Sequence, residues 1–461
     1  MIKCPNCTGE LEFKPTDQEV VCKYCGSKFN PKELKEEVKM SGEHEAVGTF
    51  EGKTYSCSQC GAQLMTFDET AVTFCSYCGS QAMIESKMMK QNNPDFIIPF
   101  AKSKEECIKA YKSKIAGSLF VPNYMKSDVV LEKFRGIYLP YCVYKLENHG
   151  SVSNKGSKYS HRVGDYQYYN DYKITCDIDA TYDGISYDLI SKFYDKFSNA
   201  IPFDFKKKED FNPNYLVGFY ADTMDVDSKV YESDARGVAQ ADAARRLLRN
   251  REFSRYGCSS PVVGLDITEK KIGMFPVYFL AVRNKDNKTI NYAVVNGQTG
   301  KVVADLPISF GKYIIGSLIL SLIVFLLIDT FIVLTPKVVC VFSIICAIIS
   351  LMISSIQAGK LNTKLNHTDD AGFMSLKDNQ NLINSMKKVG IFKYLYKEMI
   401  AIVIPVLTLM FNFVQDTYYY GATFISLGLV ILSFRDLVKE HNMLVSNKLP
   451  QLEKRGGDEN V

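Results

Sequence analysis

The spacing of apolar and polar positions changes character along the chain, and each change predicts a different kind of element. In the first 82 residues, short strand-like runs are separated by turn residues: LEF, PTD and EVV, then QLMTF, DE and TAVTF. Each set reads as a β-hairpin. From 95 to 310 the pattern mixes periods. FIIPF and GIYLPYCVYKLE are strand-like, and in YKITCDIDATY the residues Ile174, Cys176, Ile178 and Ala180 alternate with polar positions, as on a half-buried strand. SKEECIKAYKSKI has Ser103 and Glu106 at capping-box spacing and predicts a helix from that point. A second helical stretch covers about 233 to 255. A meander follows: MFPVYFLAV, the turn RNKDNK, TINYAVV, the turn NGQTG and KVVADL.

After residue 310 the apolar runs lengthen. Four of them, 313–334, 338–356, 399–415 and 417–434, predict helices able to cross a ~30 Å hydrocarbon layer. The breaks within each pair are short, so they pair as two hairpins. The 357–398 loop between the hairpins holds seven lysines against four acids, which puts the loop and both termini in the cytosol. Tyr313, Tyr394, Tyr396 and Tyr418 to Tyr420 are candidate interfacial aromatics. Within the spans only Asp329 is ionisable, near an end where an interfacial role beside Lys337 is expected, which argues against a transporter. Ser343, Ala347, Ser350 and Ser354 form a small-residue stripe suited to close helix packing and assembly.

Cysteine placement adds chemistry to the first region. Eight of the 14 cysteines fall in two copies of CxxC, fourteen residues, CxxC: Cys4, Cys7, Cys22 and Cys25, then Cys57, Cys60, Cys75 and Cys78. The other six have no partner spacing, and no apolar leader precedes the first pair. The expectation is a reducing compartment and metal rather than disulfides. A hairpin that brings two CxxC turns together supplies four thiolates in a tetrahedron, the arrangement of a zinc ribbon. Two structural Zn²⁺ ions are predicted, with all four positions filled by protein and none left for a catalytic water. Gly26, Gly61 and Gly79 follow a ligand where the backbone must turn left-handed, and Thr8 takes that place after Cys7. His44 reads as solvated.

The chain therefore reads as multidomain. The ribbons (small β) span 1–30 and 53–82, with linkers at 31–52 and 83–94. A cytosolic α+β domain covers 95–310. Transmembrane hairpins (four α-helices) span 311–357 and 399–434, flanking a basic loop at 358–398, and a cytosolic tail runs from 435 to 461.

Charge narrows the choice of partner. Residues 1–94 carry ten lysines, no arginine and thirteen acids, and four thiolates around each Zn²⁺ add about two more negative charges. Phosphate contacts by the ribbons are thus opposed, and protein docking is the expected role. Six of the eleven arginines, Arg236, Arg245, Arg246, Arg249, Arg251 and Arg255, lie on the second helical stretch. That stretch reads as a solvated amphipathic helix, with anionic lipid headgroups as the sharper alternative. Tyr166, Tyr168, Tyr169 and Tyr172 fit a strand as readily as base stacking. His149 and His161 read as surface residues of a polar loop. NGQTGKV lacks the glycine spacing and the Ser or Thr of a phosphate-binding loop, and no catalytic motif is found, so an enzyme is not expected.

The cysteine modules resemble the zinc ribbons of transcription factor IIB and of the primosomal replication-restart helicase. With GIYLPY, YDGISYD, YLVGFYAD and VVNGQTGKVV in the middle region, the chain resembles a family of bacterial membrane proteins that join such ribbons to C-terminal transmembrane helices. Those proteins look like companions of flotillin-like SPFH-domain and phage-shock-type envelope-stress proteins. The resemblance implies a non-enzymatic adaptor or scaffold in the cell membrane, touching lipid and docking protein partners through its ribbons. A membrane-tethered nucleic-acid binder (transcription or replication related) is the alternative, and a small transporter the weaker one.

Overall fold

A computed structural model describes residues 3–34, 49–67, 72, 74–249, 263–284, 289–331, 335–365, 370–375 and 392–448. His44, Arg251 and Arg255 lie outside these residues, as do the RNKDNK turn from 285 to 288, residues 376–391 of the basic loop and the Asp329 side chain.

The first cysteine module is a three-stranded antiparallel sheet of β1 (Leu11–Lys14), β2 (Glu19–Cys22) and β3 (Lys28–Phe29). The second module is not set apart in this way. Its strands β4 (Thr49–Cys57) and β5 (Gln63–Thr66) belong to a 12-stranded sheet that also holds the central region of the chain. Residues 83–92, read as linker, form strand β6 (Met83–Asn92) and pair with β4. MIESKMMKQN has no clean alternation because β6 lies at the sheet's edge and exposes several of its side chains, so its pattern carries no strand signal.

The rest of that sheet is β7 (Phe96–Ile97), β8 (Arg135–Val163), β9 (Tyr166–Asp188), β10 (Glu209–Asp210), β11 (Tyr220–Asp222), β12 (Asp266–Arg283), β13 (Thr289–Asn296), β14 (Val302–Ala304) and β15 (Asn447–Lys448). Its spine runs β10-β7-β12-β8-β11-β5-β4-β6, with β9 on β8 and β13 on β12. Central β8 is buried without interruption from Ile137 to Tyr144, as expected for a strand covered on both faces. Alternation then sorts side chains between two cores. Tyr138, Met274, Tyr278 and Val295 face helix α1 (Lys104–Ala116), whose Ser103–Glu106 capping box is formed. Ile137, Leu139, Tyr141, Phe275, Val277 and Phe279 face the opposite way, toward Ile190, Phe193 and Phe197. The NGQTG segment closes the β13–β14 hairpin, and Asn296 Oδ1 accepts from the amides of Gln298 and Thr299.

Helix α2 (Glu232–Leu248) buries Ala235, Ala239 and Ala243 and turns its arginines outward. Arg246 pairs with Asp242 at 2.7 Å and Arg236 with Glu232 at 3.7 Å, the i,i+4 pairs of a solvated surface helix. His149 and His161 are not in a loop. They lie on β8, in a hairpin that continues past the sheet: one face is still half-buried at His149, both faces are wet at His161, and no apolar periodicity marks this part of β8 as strand.

Among the described residues four long helices follow, α3 (Phe310–Phe331), α4 (Pro336–Leu365), α5 (Phe392–Phe411) and α6 (Asp416–Val445), with the short helix Ala371–Ser375 between α4 and α5. Helices α4 and α6 are each long and apolar enough to cross a membrane, and Phe310–Val324 is a shorter apolar stretch. Helices α4, α5 and α6 pack on one another. The small-residue stripe of α4 is buried inside this bundle, where Ser350 Oγ lies 3.0 Å from Ser433 Oγ, so it serves packing within the chain. The 435–461 region does not begin as a tail: helix α6 continues to Val445, and β15 then joins β13.

Candidate metal centres

Four CxxC turns are built alike. In each, the amide of the residue that follows the second cysteine closes back on the first: Thr8 N donates to Cys4 O at 2.8 Å, Gly26 N to Cys22 O at 3.1 Å, Gly61 N to Cys57 O at 2.8 Å and Gly79 N to Cys75 O at 2.9 Å. The donor residue has positive φ in all four, 57° for Thr8 and 67° to 70° for the glycines. Three positions use glycine for that reason, and Thr8 adopts the same conformation with its hydroxyl donating to Cys7 O at 2.6 Å.

These turns converge in pairs. Cys4, Cys7, Cys22 and Cys25 form one group and Cys57, Cys60, Cys75 and Cys78 another, with all sulfurs of a group within 4.8 Å of each other. Opposed sulfurs are 3.6 and 3.4 Å apart in the first group and 3.6 and 3.5 Å in the second. A disulfide would need about 2.05 Å, whereas a tetrahedron of thiolates with metal–sulfur bonds near 2.3 Å has edges of about 3.8 Å. Both groups are therefore placed to hold a metal ion, and the donor set is consistent with zinc.

Electrostatics of the bare sulfurs point the same way. In the second group the Cys60 thiol, then Cys75 and Cys78, hold Cys57 far below the usual thiol range, while Cys57 and Cys60 push Cys75 far above it. One thiolate forms easily and the next is opposed, a conflict that a divalent cation removes. In the first group the hydroxyl and amide of Ser27 hold Cys25 down at about 6.

Burial separates the two groups. All four cysteines of the second are buried, while Cys7 and Cys25 of the first are exposed. The second group is held by the central domain. Tyr77 reaches through the core to hydrogen-bond Asp222 on β11, its ring 5.3 Å from Phe279. Strand β11 itself pairs with β5, Asp222 opposite Leu64. Arg283, at the end of β12, donates to Cys78 O at 2.6 Å and to Gln59 Oε1 at 3.0 Å. Burial, then the nearby Asp222 carboxylate, push the Tyr77 hydroxyl well up, and burial raises Asp222 to about 7.

The first group shares no strand with the central domain but packs into it: Leu11, Phe13, Val20 and Leu34 lie in one buried cluster with Phe100, Tyr138, Leu216 and Val217. Phe13 N donates to Val217 O at 3.0 Å, its ring lies 5.3 Å from Tyr215, and Gln18 donates to Phe100 O at 2.7 Å. Asn214 donates to Pro31 O and Leu34 O at 2.7 and 2.9 Å. Neither module stands free, so the docking surface expected of the ribbons is largely spent on their own chain. What remains open is the tip around Cys7, Cys25 and Tyr24, the last 77% exposed.

A second exposed feature is the arm made by β8 and β9 beyond Asn148. Tyr159, Val163, Tyr166, Tyr168 and Tyr169 are all exposed there, with Tyr168 stacked on His161 at 4.8 Å. His149 pairs with Asp179 at 2.8 Å.

Several positioning residues had no signal in the sequence. Tyr77 lies inside a CxxC turn and Asp222 ends YLVGFYAD, but neither motif marks them as partners, and like that of Arg283 their roles depend on strands far apart in the chain. Asp195 is another: it accepts from Tyr231 Oη and from Ala371 N, both at 2.8 Å, and so ties the short helix Ala371–Ser375, between the apolar helices, to the central domain.

No family model matches this chain, and no solved structure does. It is similar to YdjG, an uncharacterized protein of Bacillus subtilis (strain 168), at 28% identity over 324 residues, which cover 67% of this chain and 91% of that protein. The likeness transfers no activity.

Proposed function

We propose that this chain is a membrane-anchored, zinc-stabilised scaffold whose cytosolic part presents the β8–β9 arm and the tip of the first ribbon to another protein. Both cysteine groups hold Zn²⁺ in a structural role, and all four apolar helices cross the bilayer with both termini in the cytosol.

The observation that carries the reading is the arm. A two-stranded hairpin standing alone in water is marginally stable, and this one extends past the sheet with a run of exposed aromatics. Such a surface is suited to a partner. The four-crossing arrangement draws on where the helix ends meet the central domain. At the start of α3, Lys312 donates to Val121 O and Asn123 Oδ1 at 2.8 and 2.7 Å. At the shared end of α4 and α6, Lys364 donates to Leu444 O and Ser446 O, both at 2.6 Å. An even number of crossings returns the chain to one side. From the family resemblance, the partner is an SPFH-domain or phage-shock-type protein of a membrane-stress complex.

A photocrosslinker at Tyr168 in living cells tests this. The scaffold reading expects a discrete adduct with an SPFH-domain or phage-shock-type protein, absent when residues 155–172 are replaced by a short turn and zinc content is unchanged. Absence of any protein adduct would sink it. The tethered nucleic-acid reading has one feature in its favour: Lys155, Lys158 and Arg162 lie among the arm's tyrosines. It expects nucleic-acid adducts that disappear at high salt. Reporters after Val461 and within 376–391 both active in the cytosol are expected of the four-crossing arrangement; surface labelling of either refutes it.

A further inference from the structure

The bundle of α4, α5 and α6 contains acids that the apolar runs gave no reason to expect there. Glu398 on α5 is 1% exposed and Glu440 on α6 is 2% exposed. Glu398 Oε1 accepts from Ser354 Oγ on α4 at 2.7 Å. Its other oxygen, Oε2, is buried with no hydrogen-bond partner among the described residues, and so is Glu440 Oε2. Gln357, one turn below Ser354, buries its Oε1 in the same condition.

Helix register brings these atoms to one level. Helices α4 and α6 run parallel, with Ser350 against Ser433 and Lys364 against Ser446, offsets of 83 and 82 residues. That offset sets Gln357 opposite Glu440. Helix α5 runs antiparallel to both and enters with Glu398 against Ser354 and Lys397 paired to Asp436. The charges nearby do not neutralise the two acids. Lys397 is engaged by Asp436, Lys364 is committed to three backbone carbonyls, and Lys360, Arg435 and Lys439 are exposed on the helix surfaces. Three helices thus each carry a buried acceptor oxygen without a partner at this level, beside the Ser354 hydroxyl that donates to Glu398. A buried acceptor without a donor costs about 1–3 kcal/mol, more when charged, so three in one layer describe a ligand set.

We propose that Ser354, Gln357, Glu398 and Glu440 form a binding site for one hard divalent cation at the inner end of the helix bundle. Two carboxylates balance the charge of the ion, and the amide and hydroxyl oxygens complete an all-oxygen set of the kind preferred by Mg²⁺, Ca²⁺ and Mn²⁺ over zinc. The site joins all three helices, so occupancy bears directly on how the bundle holds together. It does not depend on the scaffold reading.

Mn²⁺ binding, followed by electron paramagnetic resonance on the full-length, zinc-loaded protein in detergent, tests the site. One Mn²⁺ per chain is expected, displaced by Mg²⁺ or Ca²⁺. Glu398→Gln and Glu440→Gln should each weaken it at least tenfold, and Ser354→Ala and Gln357→Ala several-fold, with two zinc ions retained throughout. The alanine variants carry the test if a glutamine variant does not fold. Absence of stoichiometric Mn²⁺, or binding that survives the substitutions, overturns the proposal.

Discussion

The two cysteine modules share a spacing, a turn geometry and a sulfur arrangement, yet one is packed against the central sheet and the other is built into it. The first has its own three-stranded sheet, exposes two of its four sulfurs and joins the central domain through side-chain packing and hydrogen bonds, without a shared strand. The second shares strands with the central sheet, buries all four sulfurs and is held by Asp222 and Arg283. A metal in the first organises a separate sheet whose Leu11, Phe13 and Val20 add to the core around Phe100 and Tyr138, whereas a metal in the second organises strands of the central sheet itself and the core containing Tyr141, Phe193, Phe275 and Phe279. Identical ligands thus carry different consequences, because consequence follows from what is packed around them.

The largest expected effect comes from removing one ligand from each. A structural zinc contributes on the order of 10 kcal/mol, comparable to the whole net stability of a domain at about 5–15 kcal/mol. Cys75→Ser is therefore expected to abolish cooperative unfolding of the region before α3. Cys25→Ser should lose one zinc and leave the thermal transition within a few degrees of the parent. Calorimetry with metal analysis checks both, and equal damage from the two would erase the distinction.

Metal exchange should show a smaller but still clear contrast. A chelator reaches the first site past exposed Cys7 and Cys25, but reaches the second only through local opening of the sheet. Of two zinc ions, one is expected to leave at least about tenfold faster. Following release with a colorimetric chelator, and repeating it in Arg283→Met, sharpens the point: the slow phase should quicken while the fast one is unchanged. A single phase for both ions would contradict the comparison.

The smallest effect is a pH dependence carried by Asp222. Its carboxyl sits at about 7 in the folded chain against 3.8 ordinarily, because it is buried. Between those values the folded chain keeps a proton that the unfolded chain has lost, so stability from this group is full at low pH and declines as pH rises toward 7. Asparagine cannot lose that proton. Asp222→Asn should gain on the parent by a few degrees from pH 5 to pH 8, read as the difference in midpoint temperature. A constant offset across that range would show that Asp222 does not titrate there.

How much of this was legible depends on the length scale of each feature. The capping box at Ser103, the NGQTG turn and the half-buried face of β9 are local, written within a few residues, and each formed as its pattern foretold. In the β8–β9 arm, β9 was legible from Ile174 to Ala180, but the tip is wet on both faces and β8 opposite has no apolar period, so His149 and His161 read as loop. Glu398 and Glu440 were missed for the opposite reason. Each lies just beyond an apolar run, and nothing in the run says that the helix continues or that its neighbours close over the charge.

By itself the sequence determined the eight sulfurs placed to hold metal and their grouping, since a CxxC turn and a hairpin are short-range geometry that few residues specify. It likewise determined α4 and α6 as long apolar helices, because hydropathy is additive along a segment. Only the tertiary structure decided that one module would be built into the central sheet and the other laid on its surface, and that acids from two helices would face a common layer. Those outcomes depend on contacts between residues more than a hundred positions apart, such as Leu64 with Asp222 and Cys78 with Arg283, and on helix register between residues 44 and 83 positions apart. The free energy of such contacts belongs to the pair and leaves no mark on either segment alone.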